Sequence, residues 1–396
     1  MRRMEMMRLS AVLALGAILA QTFVFANYTI IHRRTFNLNA TFAGAEAIGD
    51  VAFDGNYLYV SSWHNNSGVQ TVRLVRVGDI GTLLNTRSGA LAPAGWTVTV
   101  DAAGSSRDTR LVYHDNHLYW GYGLGDGTAA NTGIRKYDLN GNLVTGWASG
   151  GTLTLSGAGV SRYDTIDIDP GFSGSGETLA VGAFGSTIVR RFDLNTGANA
   201  GNAGPVGGAT STRDYAFAPN GDLYIRTQGA VAVATRAAAS GATAFSSPTN
   251  IATWSEGTLA QAFVAYIPVN EVFFSGFSSL VLYNQRVSGQ NRVFIYNVGN
   301  GTPLSLTELD GTEQVDDGDN PRGFQNTLLN ASWGLWNGRM FIFVVNGFTG
   351  TGSDTGYTGT ISFDRLDIYE VVPEPASMLA LGSGLVSLLA LRRRRK

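Results

Sequence analysis

Cysteine is absent from the sequence, and charged residues make up only 15% of its 396 residues. The absence of cysteine excludes disulfides, thiolate catalysis, iron–sulfur clusters and zinc sites built on cysteine. Hydrophobic residues make up 44% of the chain, so there is ample material for a core and little indication of disorder. A chain without disulfides must be stabilised by size and packing alone, which a body of this length can achieve.

Histidine is also scarce, and two of the four histidines form the single histidine cluster, His114-Asp115-Asn116-His117. Two imidazoles and a carboxylate are ligands that zinc accepts. The cluster falls on a predicted hairpin turn, however, where Asp and Asn are favoured by the backbone, and on one strand the two histidines would face opposite sides. His32 and His64 stand alone. We therefore favour the turn over a zinc site.

The C-terminal segment combines three features in a fixed order. The tripeptide Pro373-Glu374-Pro375 is followed by a mostly apolar run, 378–391, and then by a basic cluster. Five cations after an apolar helix resist crossing a bilayer and should stay in the cytoplasm, which leaves the body outside. The cluster consists of Arg392, Arg393, Arg394, Arg395 and Lys396.

This segment resembles the PEP-CTERM sorting signal of Gram-negative bacteria that make extracellular polysaccharide. The resemblance implies that a membrane protease-transpeptidase, exosortase, recognises the tail and cuts near Pro373-Glu374-Pro375, after which the body reaches the cell surface or matrix. An ordinary membrane anchor is the alternative, but such an anchor usually has about 20 apolar residues. This run is shorter and is interrupted by Gly382, Ser383, Gly384 and Ser387.

The N-terminal segment predicts export as well. Arg2, Arg3 and Arg8 precede an apolar stretch, 9–20, and Val24-Phe25-Ala26 offers small residues to a signal peptidase. We therefore predict a signal peptide over residues 1–26, a body over 27–370 and a sorting signal over 371–396 with a transmembrane helix at 376–391. An uncleaved N-terminal helix is the alternative.

The body between these ends is acidic. Without the eight cations and two carboxylates of the terminal segments, 20 basic and 28 acidic residues remain. A protein that binds nucleic acid or an anionic membrane surface needs a positively charged surface of its own. We therefore expect no nucleic-acid partner, and contact with the membrane only through the C-terminal helix before processing.

The body has the pattern of an all-β chain. Short alternating runs of Val, Ile, Tyr, Phe and Thr are separated by Asp, Asn and Gly turns, and glycine is abundant at 51 residues. An Ala-rich stretch, 229–241, could hold one short helix, but Val231-Ala232-Val233 alternates as a strand does.

The strands repeat as a phrase of strand, polar turn and strand. The clearest copies are 51–60, 111–120 and 215–225, and looser copies lie at 166–181, 264–274 and 333–343. A further strand often follows, and it ends in Asp-Leu-Asn at 138–140 and 193–195. Such repeats are typical of β-propeller blades. We predict an all-β, β-propeller-like body of six or seven blades, the seventh within 280–300; a β-sandwich array or a β-helix is the alternative.

Two expectations about the propeller can be tested directly. Propellers are normally closed by pairing strands from opposite ends of the chain, and residues 28–36 or 361–371 could supply that strand. The pairs Leu58-Tyr59, Leu118-Tyr119 and Leu223-Tyr224 should occupy equivalent positions in different blades around one axis.

Charged residues near the predicted blade entries give two candidate roles. Asp50, Asp108, Asp164 and Asp214 could surround the axis, together with the pairs 107–108 and 213–214 and the segment 162–164. The first role is catalytic, because glycosidases use pairs of carboxylates. The second is structural, an Arg–carboxylate bridge between neighbouring blades, and we favour this interpretation. No nucleophile elbow, phosphate loop or dinucleotide fingerprint occurs in a convincing context.

An acidic, glycine-containing loop over 310–320 is the only cofactor candidate. Hard oxygen ligands on a flexible loop are those that calcium uses, although the loop lacks the order of an EF-hand and a solvated loop is the alternative. We otherwise expect no cofactor. The predicted calcium ligands are Asp310, Glu313, Asp316, Asp317 and Asp319.

Two classes of function follow. The first is a noncatalytic surface or matrix protein that binds exopolysaccharide or other surface proteins, as in a biofilm, and we predict no catalytic residue. The second is a polysaccharide-active hydrolase or lyase on the same scaffold.

Overall fold

Strands dominate the part of the chain that a computed structural model describes, and a single short helix, α1 (Ile80–Asn85), accompanies them there. The amino side of α1 is capped by Asp79, whose carboxylate accepts from the N–H of Thr82 at 2.8 Å. The described residues are 28–42, 46–64, 71–101, 109–122, 133–154, 165–171, 176–183, 186–204, 206, 212–236, 244–254, 262–268, 279–287, 290–298, 328–351 and 360–373.

The first strand, β1 (Tyr28–Asn37), belongs to the last blade, and the next strands build the first three blades in chain order. Blade 1 consists of β2 (Glu46–Phe53), β3 (Tyr57–His64), β4 (Thr71–Asp79) and β6 (Thr97–Asp101), with β5 (Gly89–Ala90) beside β1 instead. Blade 2 consists of β7 (Thr109–His114), β8 (His117–Tyr122), β9 (Gly133–Asp138) and β10 (Thr152–Thr154). Blade 3 consists of β11 (Thr165–Asp169), β12 (Thr178–Gly182), β13 (Val189–Asp193) and β14 (Asn199–Ala203).

The remaining strands build three further blades. Blade 4 consists of β15 (Thr212–Phe217), β16 (Leu223–Thr227), β17 (Ala230–Ala234) and β18 (Thr249–Thr253). Blade 5 consists of β19 (Val264–Pro268), β20 (Ser279–Val287) and β21 (Gln290–Asn297). Blade 6 consists of β22 (Leu328–Trp336), β23 (Arg339–Thr351), β24 (Thr360–Pro373) and β1.

The innermost strands of the blades form a closed ring. Each of β2, β7, β11, β15, β19 and β22 contacts the next in this order, and β22 contacts β2 again. All sheets pair neighbouring antiparallel strands apart from the short parallel contact between β1 and β5. The body is therefore a six-bladed β-propeller, which confirms the predicted fold class.

The core is divided among the blade interfaces. Side chains alternate between the two faces of a strand, so each blade contributes apolar residues to both of its neighbours. Six large clusters of buried residues result, and each joins two adjacent blades. The cluster between blades 1 and 2, for example, joins Tyr59 and Leu74 with Leu118 and Trp120. Burial of large apolar side chains between all six blades is the main source of stability.

The ring is closed by both ends of the described chain. β1 pairs with β24 from Tyr28 opposite Pro373 to Asn37 opposite Arg365, with an irregularity between His32 and Arg34. The prediction that terminal strands close the propeller is thus confirmed, and both candidate strands take part. Strand β24 continues to Pro373, so the first residue of the Pro-Glu-Pro tripeptide lies in the closing sheet.

The tight turns contain the Asp, Asn and Gly residues that the sequence predicted for them. Asp115 and Asn116 have φ of 44° and 59°, and Asn337 and Gly338 have φ of 49° and 72°, as type I′ hairpin turns require. Leu58, Leu118 and Leu223 all lie in the second strand of their blades, and each is opposite an aromatic residue at or next to the end of the first strand. The expected equivalence of the three Leu-Tyr pairs is therefore confirmed.

Two details of the repeat were wrong. Strand β19 pairs with β20, beginning at Pro268 opposite Ser279, whereas the expected partner residues 271–274 lie outside the described residues. The segment 280–300 supplies the second and third strands of blade 5, so it holds no seventh blade. The connection between β19 and β20 spans ten residues, and a repeat recognised by short turns misses it. Within the Ala-rich stretch, Ala230–Ala234 form strand β17.

The predicted signal peptide and C-terminal hydrophobic helix lie outside the described residues. Within the described ranges, no helix has the length and apolar character that crossing a membrane requires.

Candidate functional site

A cavity of about 280 Å³ lies on the axis of the propeller, and all six innermost strands contribute to its wall. Its polar wall residues include three carboxyl groups, one guanidinium, one amide and one hydroxyl. They are Asp50, Asp167, Asp214, Arg110, Asn330 and Ser332.

Strand register places most of the charged groups in one layer. Asp50 pairs with Ser61, Arg110 with Gly121 and Asp214 with Arg226. Each lies three residues before an aromatic residue at or next to the end of its strand, namely Phe53, Tyr113 or Phe217. Thr165 takes the corresponding place in blade 3, and Asp167 lies two residues further along. The layer is therefore polar in four consecutive blades.

The acceptors in this region connect three pairs of neighbouring blades. Asp50 Oδ2 accepts from the N–H of Leu111 at 2.7 Å, and Asp214 Oδ2 accepts from the N–H of Val264 at 2.9 Å. Between blades 3 and 4, Thr165 Oγ1 accepts from the N–H of Tyr215 at 3.2 Å. Innermost strands are not paired with each other as a sheet, so these side chains satisfy backbone donors that would otherwise be buried without a partner.

Asp167 makes a similar bond and also reaches the cavity. Its Oδ2 accepts from the N–H of Phe217 at 2.7 Å. Unlike Asp50 and Asp214, which are 6% exposed, Asp167 is only half-buried. It is therefore the carboxyl group of this set that is most accessible to a molecule in the cavity.

Arg110 spans the axis from blade 2. Its Nη2 donates to the carbonyl oxygens of Arg213 at 3.2 Å and Ala262 at 3.1 Å, and its Nη1 lies 3.9 Å from Asp214 Oδ2. An Arg–carboxylate bridge of the predicted kind thus exists in the layer. Its cation is Arg110, and the bridge joins blades 2 and 4 rather than two neighbouring blades. Asp108, Asp164, Arg107 and Arg162 lie outside the described residues.

The axial carboxyl groups hold protons more tightly than usual. Burial raises the pKa of Asp50 to about 7, although Arg110 and two backbone N–H groups partly oppose the shift. Burial raises the pKa of Asp167 to about 7 as well, and the nearby Asp214 and Asp169 add to the rise. Burial also raises the pKa of Asp214, with Arg110 again opposing it. Near pH 7 the cavity therefore contains carboxyl groups in both protonation states.

Aromatic residues line the other part of the cavity. Phe53, Tyr113 and Phe217 lie at or next to the ends of their innermost strands, and Tyr215, Tyr266 and Trp333 are the other aromatic residues of the wall. Trp333 donates from Nε1 to the carbonyl oxygen of Tyr266 at 3.0 Å, which fixes its orientation. Tyr113, Tyr266 and Trp333 are partly buried, whereas Phe53 and Phe217 are buried.

The histidine cluster does not form a metal site in the described structure. His114 and His117 are paired directly across the hairpin and lie on one face, so the expectation that they face opposite sides was wrong. His114 Nε2 lies 3.0 Å from Glu177 Oε2, while His117 Nδ1 lies 2.7 Å from the carbonyl oxygen of Asp115. Within the described ranges, no three His, Asp or Glu side chains are placed to hold a metal ion.

Several predicted site residues lie outside the described residues. They are Glu374 and Pro375 of the tripeptide, the basic cluster 392–396 and the five predicted calcium ligands, Asp310, Glu313, Asp316, Asp317 and Asp319. The calcium site remains a prediction.

Sequence reasoning identified Asp50 and Asp214 but missed Arg110, Asp167, Tyr266 and Trp333. Alignment of the three clear phrases on the aromatic residues at or next to their strand ends would have placed Asp50, Arg110 and Asp214 in one column. The local sequence carried no comparable signal for Asp167 or Trp333, because their role depends on the register of strands in other blades.

The comparisons with known proteins identify the C-terminal motif. The family model of the PEP-CTERM protein-sorting motif matches residues 371–395. The chain therefore carries this sorting motif, as the Pro-Glu-Pro tripeptide, apolar run and basic cluster predicted. The motif implies an exported protein that is sorted by an exosortase. No curated protein matches the chain significantly.

Solved structures resemble the chain only distantly. The auxiliary nutrient binding protein from Bacteroides thetaiotaomicron VPI-5482 has 11% identity and a TM-score of 0.46, covering 87% of this chain and 77% of that one. Hydrazine synthase from Kuenenia stuttgartiensis has 14% identity and a TM-score of 0.40, covering 77% and 78%. The complex of KlAtg21 with the coiled-coil of AgAtg16 has 9% identity and a TM-score of 0.35, covering 78% and 82%. At these TM-scores the similarities carry no argument about function.

Proposed function

We propose that this protein is a noncatalytic binding module of the cell surface or extracellular matrix, and that its ligand is part of a polysaccharide-rich envelope. The sorting motif supports the location. The observation that carries the binding role is the axial cavity, in which polar and aromatic side chains from six blades converge. Concave sites with a few convergent polar groups are where small molecules bind most often.

The proposed route begins with a signal peptide over residues 1–26 and export of the body over 27–370. The tail over 371–396 then tethers the precursor to the inner membrane through the helix at 376–391, until exosortase cuts near Pro373-Glu374-Pro375. Mass spectrometry of protein recovered from the cell surface should find no peptide beyond Ala376. Recovery of the intact terminus 392–396 from the surface would contradict processing, and replacement of the five terminal cations by serine should cause missorting.

The binding role is tested with the exopolysaccharide of the producing cells. The purified protein should co-sediment with this polymer in a saturable manner, and the polymer should keep its length distribution on size-exclusion chromatography. Absence of saturable binding would contradict the proposal, whereas shortened polymer chains would replace it with an enzymatic function.

A polysaccharide-active hydrolase or lyase is the second candidate. It is supported by the pKa values of about 7 for Asp50 and Asp167 in one cavity, since a general acid or base works best when its pKa is close to the working pH. Asp167 is the accessible member, so an Asp167→Asn variant should then lose all chain-shortening activity. Unchanged shortening by this variant would place any enzymatic activity elsewhere.

A further inference from the structure

The charges of the axial cavity restrict the class of ligand it can hold. Among the described residues of its wall, three carboxyl groups oppose one guanidinium, and that guanidinium already donates to the carbonyls of Arg213 and Ala262 and lies beside Asp214. An anion would therefore meet repulsion without a free cationic partner. A wholly apolar molecule would displace water from carboxyl groups and leave them unsolvated, at a large cost.

The size and geometry of the cavity argue against a bare metal ion. A volume of 280 Å³ corresponds to the space of about nine water molecules. Nor do three carboxylate or imidazole groups converge closely enough to hold a metal in the described part of the chain. The space suits one six-membered ring with its substituents.

Polar and aromatic groups are present together, which is the combination that a sugar requires. Trp333 and Tyr113 belong to the wall and are partly exposed, so they can contribute aromatic surface to the apolar face of a sugar, while the half-buried Asp167 offers acceptor atoms to its hydroxyls. In the same wall, Asn330 Nδ2 has no hydrogen-bond partner among the described residues, and such a donor gains from an acceptor such as a hydroxyl. We propose that the axial cavity binds one neutral sugar unit, held by Trp333 on its ring face and by Asp167 on its hydroxyls.

This inference deepens the proposed function, because it rests on glycan binding and names the site and the unit recognised. A cavity of this size holds a terminal unit, so the rest of a polysaccharide would extend out of the propeller. Protonation of Asp50 and Asp167 near pH 7 also suits an uncharged ligand, since a protonated carboxyl group donates to a hydroxyl while an ionised one accepts.

The test compares three sugars that share one ring and differ in charge. Glucose, glucosamine and glucuronic acid, and the same three forms of galactose, are titrated into the full chain in a detergent without a sugar headgroup. Binding is followed by calorimetry and by tryptophan fluorescence. We expect a neutral sugar to bind at least about tenfold more tightly than its uronic acid and no less tightly than its amino sugar. Tighter binding of the amino sugar by about tenfold would overturn the proposal in favour of a cation site.

Variants of one strand locate the site. Trp333→Ala should weaken binding of the neutral sugar by about tenfold or more, a loss typical of a central aromatic contact. Trp333→Phe should keep most of the affinity because it keeps an aromatic face. Trp336→Ala is the matched control, since Trp336 lies in the same strand but packs against Phe341 and not in the cavity wall, and it should bind normally. Equal losses for Trp333→Ala and Trp336→Ala would contradict a specific role for Trp333.

The same variants separate this inference from the proposed function. If Trp333→Ala co-sediments with exopolysaccharide as the unmodified protein does, and no monosaccharide binds, the protein is a glycan-binding module that uses another surface, and only the present inference fails. If neither polymer nor monosaccharide binds the unmodified chain, both fail.

Discussion

The closing sheet and the axial cavity both contain buried carboxyl groups, but the pKa values of Asp367 and Glu370 in the closing sheet shift in the opposite direction to those of the axial groups. Asp364 of the same sheet behaves as the axial groups do, because burial raises its pKa to about 8 and the nearby Glu46 adds to the rise. In the closing sheet, burial alone would raise the pKa of Asp367, yet Arg365, His32 and Thr35 outweigh burial and hold the pKa below its usual value. Burial of Glu370 is likewise outweighed by hydrogen bonds from Arg339 and Arg33. Around the axis, burial prevails and raises the pKa values of Asp50, Asp167 and Asp214.

The difference lies in the partners. Arg365 Nε lies 2.6 Å from Asp367 Oδ2, and Arg339 Nε donates to Glu370 Oε1 at 2.7 Å. The axial carboxyl groups instead accept mainly from backbone N–H groups, and Arg110 is the cation that acts on Asp50 and Asp214. A cation lowers the pKa of a buried carboxyl group more effectively than backbone dipoles do. Cations therefore stabilise the ionised forms of Asp367 and Glu370, whereas the axial carboxyl groups depend mainly on backbone donors.

The largest effect is expected from removal of β1. A chain that begins at residue 38 loses the ladder to β24 and the burial of Ile30 and Phe36. Because Phe36→Ala alone should cost about 3–5 kcal/mol, we expect the melting temperature to fall by at least about 10 °C relative to a chain that begins at residue 27. Calorimetry measures the change. Equal melting temperatures would show that the ring does not need its terminal strand.

Asp367→Asn should destabilise the closing sheet by about 3 kcal/mol at pH 7, since it leaves Arg365 buried without its anionic partner. The pKa of Asp367 is lowered on folding, so its contribution is fully present above the unfolded value of about 3.9 and is lost as pH falls through the lower folded value. Urea denaturation at several pH values should show the penalty shrinking below about pH 4. A penalty that persists unchanged to lower pH would contradict the ion pair.

Asp167→Asn should show the opposite pH dependence and serves as the matched comparison. The folded pKa of about 7 lies above the unfolded value, so the folded state binds the proton more tightly and the unmodified protein loses stability from about pH 4 to pH 7. The variant lacks this loss. Its stability relative to the unmodified protein should rise by on the order of 1–2 kcal/mol over that interval, less than the full linkage because Asp167 is partly exposed. A constant difference would show that Asp167 keeps an ordinary pKa.

The smallest effect concerns a third set of carboxylates, the predicted calcium loop at 310–320. If calcium neutralises them, as arginine neutralises Asp367, calcium should increase the free energy of unfolding by about 1 kcal/mol. The melting temperature should then rise by a few degrees. A variant with Asp316→Asn, Asp317→Asn and Asp319→Asn should lose this response. Identical melting curves in calcium and in chelator would contradict the predicted calcium site.

Much of the fold could be predicted because its signals are local. Alternating apolar residues and Asp-Gly or Asn-Gly turns define the hairpins, and the phrase around Leu58-Tyr59 recurs in other blades. Blade 5 was read incorrectly because ten residues separate β19 from β20, so the repeat had no tight turn to mark it. Its strands could be assigned only from their pairing.

The candidate site was predictable only in part, because its contacts are distant in sequence. Asp50 bonds to Leu111, Asp214 bonds to Val264, and Arg110 lies beside Asp214 across the axis. No local pattern indicates which of several acidic residues will be buried or paired. The protonation of the cavity, and hence the ligand class that it favours, depends on these distant contacts.

The sequence by itself determined the sorting motif and the all-β class, since both depend on residues that are adjacent or a few positions apart. Only the tertiary structure decided the number of blades, the closure by β1 and β24, and the contrast between Asp367 and Asp167. The physical reason is that strand pairing over hundreds of residues sets the burial and the neighbouring charges of each carboxyl group, and these two quantities determine its pKa.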